Sequence, residues 1–165
     1  MSADDRTLAL FAASFDPVTN GHLDLIERAH ELFPRLVVAV GTNVAKSGTF
    51  TLDERLEMLR VSLQHLPDAT VTSFEGLLVD YAGEIGARVL IRGLRQMADF
   101  EYEFEMALMN KSLRGDIETM FMMTSQNFFY VSSSRLKELA SFGTDISEWV
   151  PEIVGKMLQE KLGPR

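Results

Sequence analysis

Five short apolar runs separated by stretches of helical periodicity predict an α/β fold, a five-stranded parallel sheet with helices on both faces. Three observations carry this reading. Each run has the length of a strand, every gap carries apolar residues at helical spacing, and no repeat, linker or low-complexity tract interrupts the 165 residues. Residues 1–165 therefore read as a single domain, large enough to bury a substantial core, with right-handed crossovers between parallel strands.

The first strand spans Thr7 to Ala13, with Leu8, Leu10 and Phe11 apolar. The segment Ser14-Phe15-Asp16-Pro17-Val18-Thr19-Asn20-Gly21-His22 reads as a loop, and from Leu25 the positions Leu25, Ile26, Ala29, Leu32 and Phe33 make one helix face. Arg35 to Val40 is the second strand. Thr51-Leu52-Asp53-Glu54 is a capping box, continued by Leu52, Leu56, Leu59, Leu63 and Leu66 at spacings of four and three. Ala69 to Phe74 forms the third strand, and a shorter helix runs from Leu77 to Ile85, closed near Gly86. The fourth strand is Arg88 to Ile91. Asp99 to Met106 alternates acidic and aromatic residues as a strand would, but Phe100, Phe104, Ala107 and Leu108 share a helix face. The acids at its start also suit the positive end of a helix dipole. Glu118 to Met123 is the fifth strand. Helices over Ser134 to Phe142 and from Pro151 complete a Rossmann-like domain.

Composition narrows the function. Hydrophobic residues make up 46% and charged residues 24%, ordinary for a globular chain, and the net charge of −8 argues against a nucleic-acid partner, which needs a basic footprint. No cysteine is present, so disulfides and thiolate metal sites are excluded, and His22, His30 and His65 lack zinc-ligand spacing. No apolar run approaches the roughly 20 residues of a membrane span, and the start Met-Ser-Ala-Asp-Asp-Arg lacks the apolar core of a signal peptide. The expectation is a cytoplasmic chain with no membrane partner. Nine methionines, several at Met120, Met122 and Met123, read as core filler.

In parallel sheets ligands bind beyond the carboxyl ends of the strands. That rule gathers the loop Ser14 to His22, Gly41-Thr42-Asn43 with Lys46, Phe74 to Leu78, Arg92-Gly93-Leu94-Arg95 and the stretch from Thr124 at one edge. A strand feeding a helix start makes an anion site, because unpaired N–H groups and the helix dipole point at one spot. His22 adds a donor there. Arg92 and Arg95 bring guanidinium forks matched to phosphate oxygens, and Lys46 a further cation. Ser132-Ser133-Ser134 caps a helix or binds phosphates.

Competing motifs fail. Gly41 to Ser47 has alanine where a P-loop needs its second glycine, and no Gly-x-Gly-x-x-Gly occurs. Ser134-x-x-Lys137 lacks the partner motifs of serine acylases.

Thr19-Asn20-Gly21-His22 resembles the His/Thr-x-Gly-His signature of the nucleotidyltransferase superfamily. With the whole block Ser14-Phe-Asp-Pro-Val-Thr-Asn-Gly-His22, Phe50-Thr-Leu-Asp-Glu-Arg55, Leu90-Ile-Arg-Gly-Leu-Arg95, Asp99-Phe-Glu-Tyr-Glu103 and Ser132-Ser-Ser134 in family order, the chain closely resembles bacterial phosphopantetheine adenylyltransferases over almost its whole length. The resemblance implies transfer of AMP from ATP to 4′-phosphopantetheine by direct attack of the acceptor phosphate. Pyrophosphate and dephospho-coenzyme A are released in this fourth step of coenzyme A synthesis. It implies His22 as the catalytic, transition-state-stabilising residue. It implies ATP binding by Ser14, Phe15, His22, Gly93, Leu94, Arg95, Glu103, Phe128, Phe129, Tyr130, Val131, Ser132, Ser133 and Ser134. The acceptor would be held by Ser14, Lys46, Leu78 and Arg92. Magnesium with unassigned ligands, feedback by coenzyme A and a homohexamer are implied as well.

Two departures stand out. Phe11-Ala12-Ala13-Ser14 replaces the usual Tyr-Pro-Gly-Thr/Ser, and Gln126 to Tyr130 has its own aromatic character. The alternatives are another small nucleotidyltransferase, such as one acting on nicotinamide mononucleotide, and a non-catalytic nucleotide-binding sensor.

Overall fold

The computed structural model describes residues 7–42 and 48–164. Its strands are β1 (Leu8–Ala13), β2 (Arg35–Thr42), β3 (Thr70–Glu75), β4 (Val89–Leu94) and β5 (Glu118–Met123). The helices are α1 (Asn20–Leu32), α2 (Leu52–Ser62), α3 (Leu78–Ile85), α4 (Met97–Leu113), α5 (Ser133–Ser141) and α6 (Glu152–Leu162), with a 3₁₀ turn at Gln126–Phe128. The strands pair in the order β3-β2-β1-β4-β5, every pair parallel. From central β1 the chain winds outward to β3, then returns to lay β4 on the other side of β1. That reversal opens a crevice at the carboxyl ends of β1 and β4, where such sheets bind ligands.

The strand period of two sorts side chains between two apolar layers. Ala9, Phe11, Val38, Val40 and Ile91 join Ile26 of α1, Leu59 of α2, Leu136 of α5 and Leu158 of α6 in the larger one. Leu10, Ala12, Val37, Ala39 and Leu90 meet Val79 and Ala82 of α3 in the other. The expected capping box forms at α2: the Thr51 hydroxyl accepts from the Glu54 N–H, and the Thr51 N–H donates to the Glu54 carboxylate. Gly86 ends α3 in the left-handed region, φ 74°, which a side chain would make costly.

Four expectations need correction. The segment Ser14 to His22 is not loop throughout, because α1 begins at Asn20 and puts His22 in its first helical turn. β4 runs on to Leu94, so Arg92, Gly93 and Leu94 lie within the strand, paired with Phe121, Met122 and Met123. α2 stops at Ser62; Leu66 packs on the core from the turn beyond, keeping the apolar spacing without the helix. The methionines divide. Met58 and Met122 are core, whereas Met97, Met109 and Met123 are well exposed.

That last correction reflects a larger feature. The α4 helix is confirmed over Asp99 to Met106, yet Phe100, Tyr102, Phe104, Met106, Leu108, Met109 and Leu113 all remain exposed, and Asn110 is its one buried residue. Phe100 stacks on Phe104 and meets Phe121 of β5 edge-on. The apolar face that identifies this helix in the sequence is therefore only partly covered within one chain. Asn43 and Lys46 lie outside the described residues.

Candidate active site

The site begins with the way α1 starts. Thr19, extended at φ −129° and ψ 164°, is the N-cap, and its hydroxyl accepts from the His22 N–H at 3.3 Å. In return the Thr19 N–H donates to His22 Nδ1 at 3.1 Å, and the Thr19 hydroxyl lies 3.0 Å from the same nitrogen. This is a capping box with histidine in the place usually taken by Glu or Gln. With Nδ1 accepting, the ring proton of the neutral imidazole sits on Nε2. Burial, and then the positive charge of Arg95, lower the His22 pKa to about 4. The side chain is a neutral N–H donor near neutral pH.

Phe15 supports that ring from below, edge-on at 5.2 Å, and stacks on Phe11 at 6.0 Å. It is fully buried and holds φ at +46°, a left-handed conformation costly for an aromatic residue and kept by its surroundings. Gly21 eases a close approach: a Cβ there would stand 3.2 Å from Phe128 Cβ, a tight contact.

A cavity of about 500 Å³ opens at the carboxyl ends of β1 and β4. Thr19, Gly21 and His22 from the start of α1, Arg92 and Gly93 from β4, Arg95, and the run Phe128 to Arg135 all line it. Two helix N-termini thus face one space, since Ser132 is the N-cap of α5 and accepts from the Arg135 N–H. Both arginines are held by α4. Arg92 donates Nε and Nη2 to the Glu103 carboxylate at 2.7 Å each and Nη1 to the Ala12 carbonyl at 2.7 Å. Arg95 donates Nε and Nη2 to Asp99 at 3.2 and 3.3 Å and Nη1 to the Val131 carbonyl at 3.4 Å. Asp99 and Glu103 are four residues apart, so one helix face presents both carboxylates.

Of the site residues read from the sequence, the structure brings His22, Arg92, Gly93, Arg95, Phe128, Phe129, Tyr130, Val131, Ser132, Ser133 and Ser134 together around the cavity. Ser14, Phe15, Leu94, Glu103 and Leu78 are not part of its lining. Ser14 is exposed, and its carbonyl accepts from Arg55. Phe15 and Leu94 are buried in the core, Glu103 is taken up by Arg92, and Leu78 packs on the α3 side of the sheet. Lys46 lies outside the described residues. Ala12 and Ala13 line the cavity themselves, and Ala12 fixes Arg92 through its carbonyl. Thr19, Gln96, Thr124 and Arg135 also line it; Thr19 was read from the sequence only as the first residue of the signature, and Thr124 as the start of the stretch after the fifth strand.

Asp16 was legible in the sequence only as part of the block Ser14 to His22, with no role of its own. Its carboxylate accepts from the Thr49 and Phe50 N–H groups at 2.9 and 2.8 Å and from Lys137 Nζ at 3.0 Å. Burial works against its ionisation, but the two backbone donors and the Lys137 ammonium outweigh it and hold the pKa below its ordinary value. Among the described residues, no group of three or more histidine and carboxylate side chains could hold a metal.

The cytidylyltransferase-like family model matches residues 10–139. A curated phosphopantetheine adenylyltransferase from Desulfosudis oleivorans is 51% identical over 156 residues, covering 94% of this chain and 93% of that one. A crystal structure from Vibrio parahaemolyticus, described as a nicotinate-nucleotide adenylyltransferase, superposes with a TM-score of 0.68 at 16% identity, covering 94% of both chains. At that identity the superposition speaks for the fold alone.

Proposed function

This chain belongs to the cytidylyltransferase-like nucleotidyltransferases and within them to the phosphopantetheine adenylyltransferases, and from that premise we propose how its cavity works. The enzyme transfers the adenylyl group of ATP to 4′-phosphopantetheine, giving dephospho-coenzyme A and pyrophosphate. The observation that carries the chemistry is the convergence of two helix N-termini, two arginines and a neutral histidine on one cavity.

The acceptor is already a phosphate anion, so no base has to deprotonate it. Catalysis can rest on alignment and on donors aimed at developing charge. His22 donates Nε2–H to the α-phosphate as the acceptor oxygen bonds to phosphorus and the bond to pyrophosphate breaks. A histidine with a pKa of about 4 suits this task, because it needs no change of protonation state. The N-terminus of α5, with the hydroxyls of Ser132 and Ser134 and the N–H of Ser133, whose own hydroxyl is committed to Pro17, takes the phosphates of the leaving group. Arg95, Gly93 and the aromatic run Phe128 to Tyr130 hold the rest of ATP, with Ser14 at its margin, while Phe15 and Leu94 support these groups from the core and Glu103 orients Arg92. Arg92, three of whose N–H donors are already committed, directs its remaining two at the acceptor phosphate. Lys46 and Ser14 add to that clamp and Leu78 to the pantetheine arm.

Magnesium enters as part of the Mg·ATP substrate. The cavity offers hydroxyls and cations, and the carboxylates that touch its arginines, Asp99 and Glu103, are occupied by them. Coenzyme A shares the pantetheine arm and competes for the acceptor subsite. The uncovered apolar face of α4 and β5 supports self-association, which we read as a hexamer. No helix among the described residues is long and apolar enough to cross a membrane, and we place the enzyme in the cytoplasm.

Pyrophosphate release from Mg·ATP that depends on added 4′-phosphopantetheine is the expected result. Release with nicotinamide mononucleotide instead, or nucleotide binding without release, would overturn the assignment.

A further inference from the structure

The face of α5 that meets the β1–α1 loop carries two residues one turn apart. The Ser133 hydroxyl donates to the Pro17 carbonyl at 2.8 Å, and Lys137 Nζ to Asp16 at 3.0 Å. Side chains at i and i+4 on a helix thus engage neighbouring residues of one loop. The adjoining stripe of α5 is committed to the core through Leu136 and Ala140. Asp16 also fastens Thr49 and Phe50, and Gly48 allows the chain to pass, since a Cβ there would stand 3.3 Å from the Asp16 carboxylate. The pair is well shielded, with 23% of the Lys137 side chain and 13% of the Asp16 side chain exposed. Lys137 is not among the cavity-lining residues, and its ammonium is turned to Asp16.

We propose that Asp16 and Lys137 are positioning residues for adenylyl transfer. Their contact fixes the N-terminus of α5 at a set separation from the N-terminus of α1, where His22 sits. The inference rests on the reading that α5 anchors the departing phosphates while His22 meets the α-phosphate. An α5 released from the loop keeps its own N–H groups and serines, so ATP still binds. What is lost is register between the anchored phosphates and the His22 donor, and a misplacement of about 1 Å can cost about 100-fold in rate.

The test is steady-state kinetics of the full chain with Mg·ATP and 4′-phosphopantetheine. For Lys137→Met, kcat is expected to fall roughly 10- to 100-fold with KM for ATP nearly unchanged. Lys137→Arg, which keeps a cationic donor, recovers most of kcat; Asp16→Asn reproduces the Lys137→Met pattern, and the double variant is no worse than either alone. Lys137→Gln keeps a donor without the charge and serves as the second reading if Lys137→Met does not fold. A parental kcat with only a lowered Tm makes the contact merely structural and overturns the proposal. So does a raised KM for ATP at unchanged kcat, which would make Lys137 a direct ligand. A parental chain that releases no pyrophosphate overturns the adenylyltransferase reading itself and the inference with it.

Discussion

Thr19 and His22 cap each other: the threonine hydroxyl accepts the histidine's backbone N–H, and the threonine N–H donates to His22 Nδ1. One contact starts helix α1 and selects the tautomer of the residue expected to meet the α-phosphate. The link from local structure to chemistry is therefore a main-chain hydrogen bond.

His22 should contribute no inflection to turnover near pH 6.5, the ordinary histidine value, because it is neutral down to about pH 4. The inflection at about pH 6 that the substrate phosphates bring should therefore persist unchanged in His22→Asn. The same depression makes stability pH-dependent. Between about 6.5 and 4 the unfolded chain binds a proton at His22 that the folded chain refuses. The contribution of His22 is complete above that window and is lost as pH falls through it. Thermal melts from pH 7.5 downward, compared with His22→Asn, should show the variant losing less Tm across this range.

His22→Ala should lower kcat by roughly two to three orders of magnitude with a smaller change in KM for ATP, the effect of losing one transition-state donor. Parental turnover would remove His22 from the mechanism.

Thr19→Ala tests a finer point. The cap hydroxyl is lost, costing about 1 kcal/mol and lowering Tm by about 2–4 °C. The main-chain donor to Nδ1 remains, so kcat should fall far less than in His22→Ala. Thr19→Ser should restore Tm. A Thr19→Ala variant as slow as His22→Ala would show that the hydroxyl, not the backbone, orients the ring.

Arg92→Ala should raise KM for 4′-phosphopantetheine well above any change in KM for ATP. Glu103→Gln keeps the shape of the partner but removes its charge, and should raise the acceptor KM by less, with KM for ATP unchanged if Glu103 works through Arg92. A selective rise in KM for ATP would assign Glu103 to the nucleotide.

The strand-helix alternation was plain in the sequence because apolar period and strand length agree in most segments, Asp99 to Met106 being the ambiguous one, and β5 spans the same residues, Glu118–Met123, in both. The start of α1 was not, because His22 occupies the capping position where Glu or Gln is the readable sign. Arg92 and Arg95 were recognisable by type and spacing, but their carboxylate partners became visible only once α4 put Asp99 and Glu103 on a shared face. Asp16 was hidden for a different reason. Its partners lie 33 to 121 residues away, and no local pattern marks contacts of that range.

The carboxylates on α4 have a consequence for selectivity. A stray sulfate or inorganic phosphate entering this cleft meets guanidinium groups whose charge is already offset by a carboxylate and whose spare N–H groups are few, so it is held weakly. Only a ligand that also fills the aromatic and serine-lined walls gains the further contacts that keep it there. The same carboxylates hold both arginines in place when product departs, which eases release and keeps the cleft from fouling with common cellular anions.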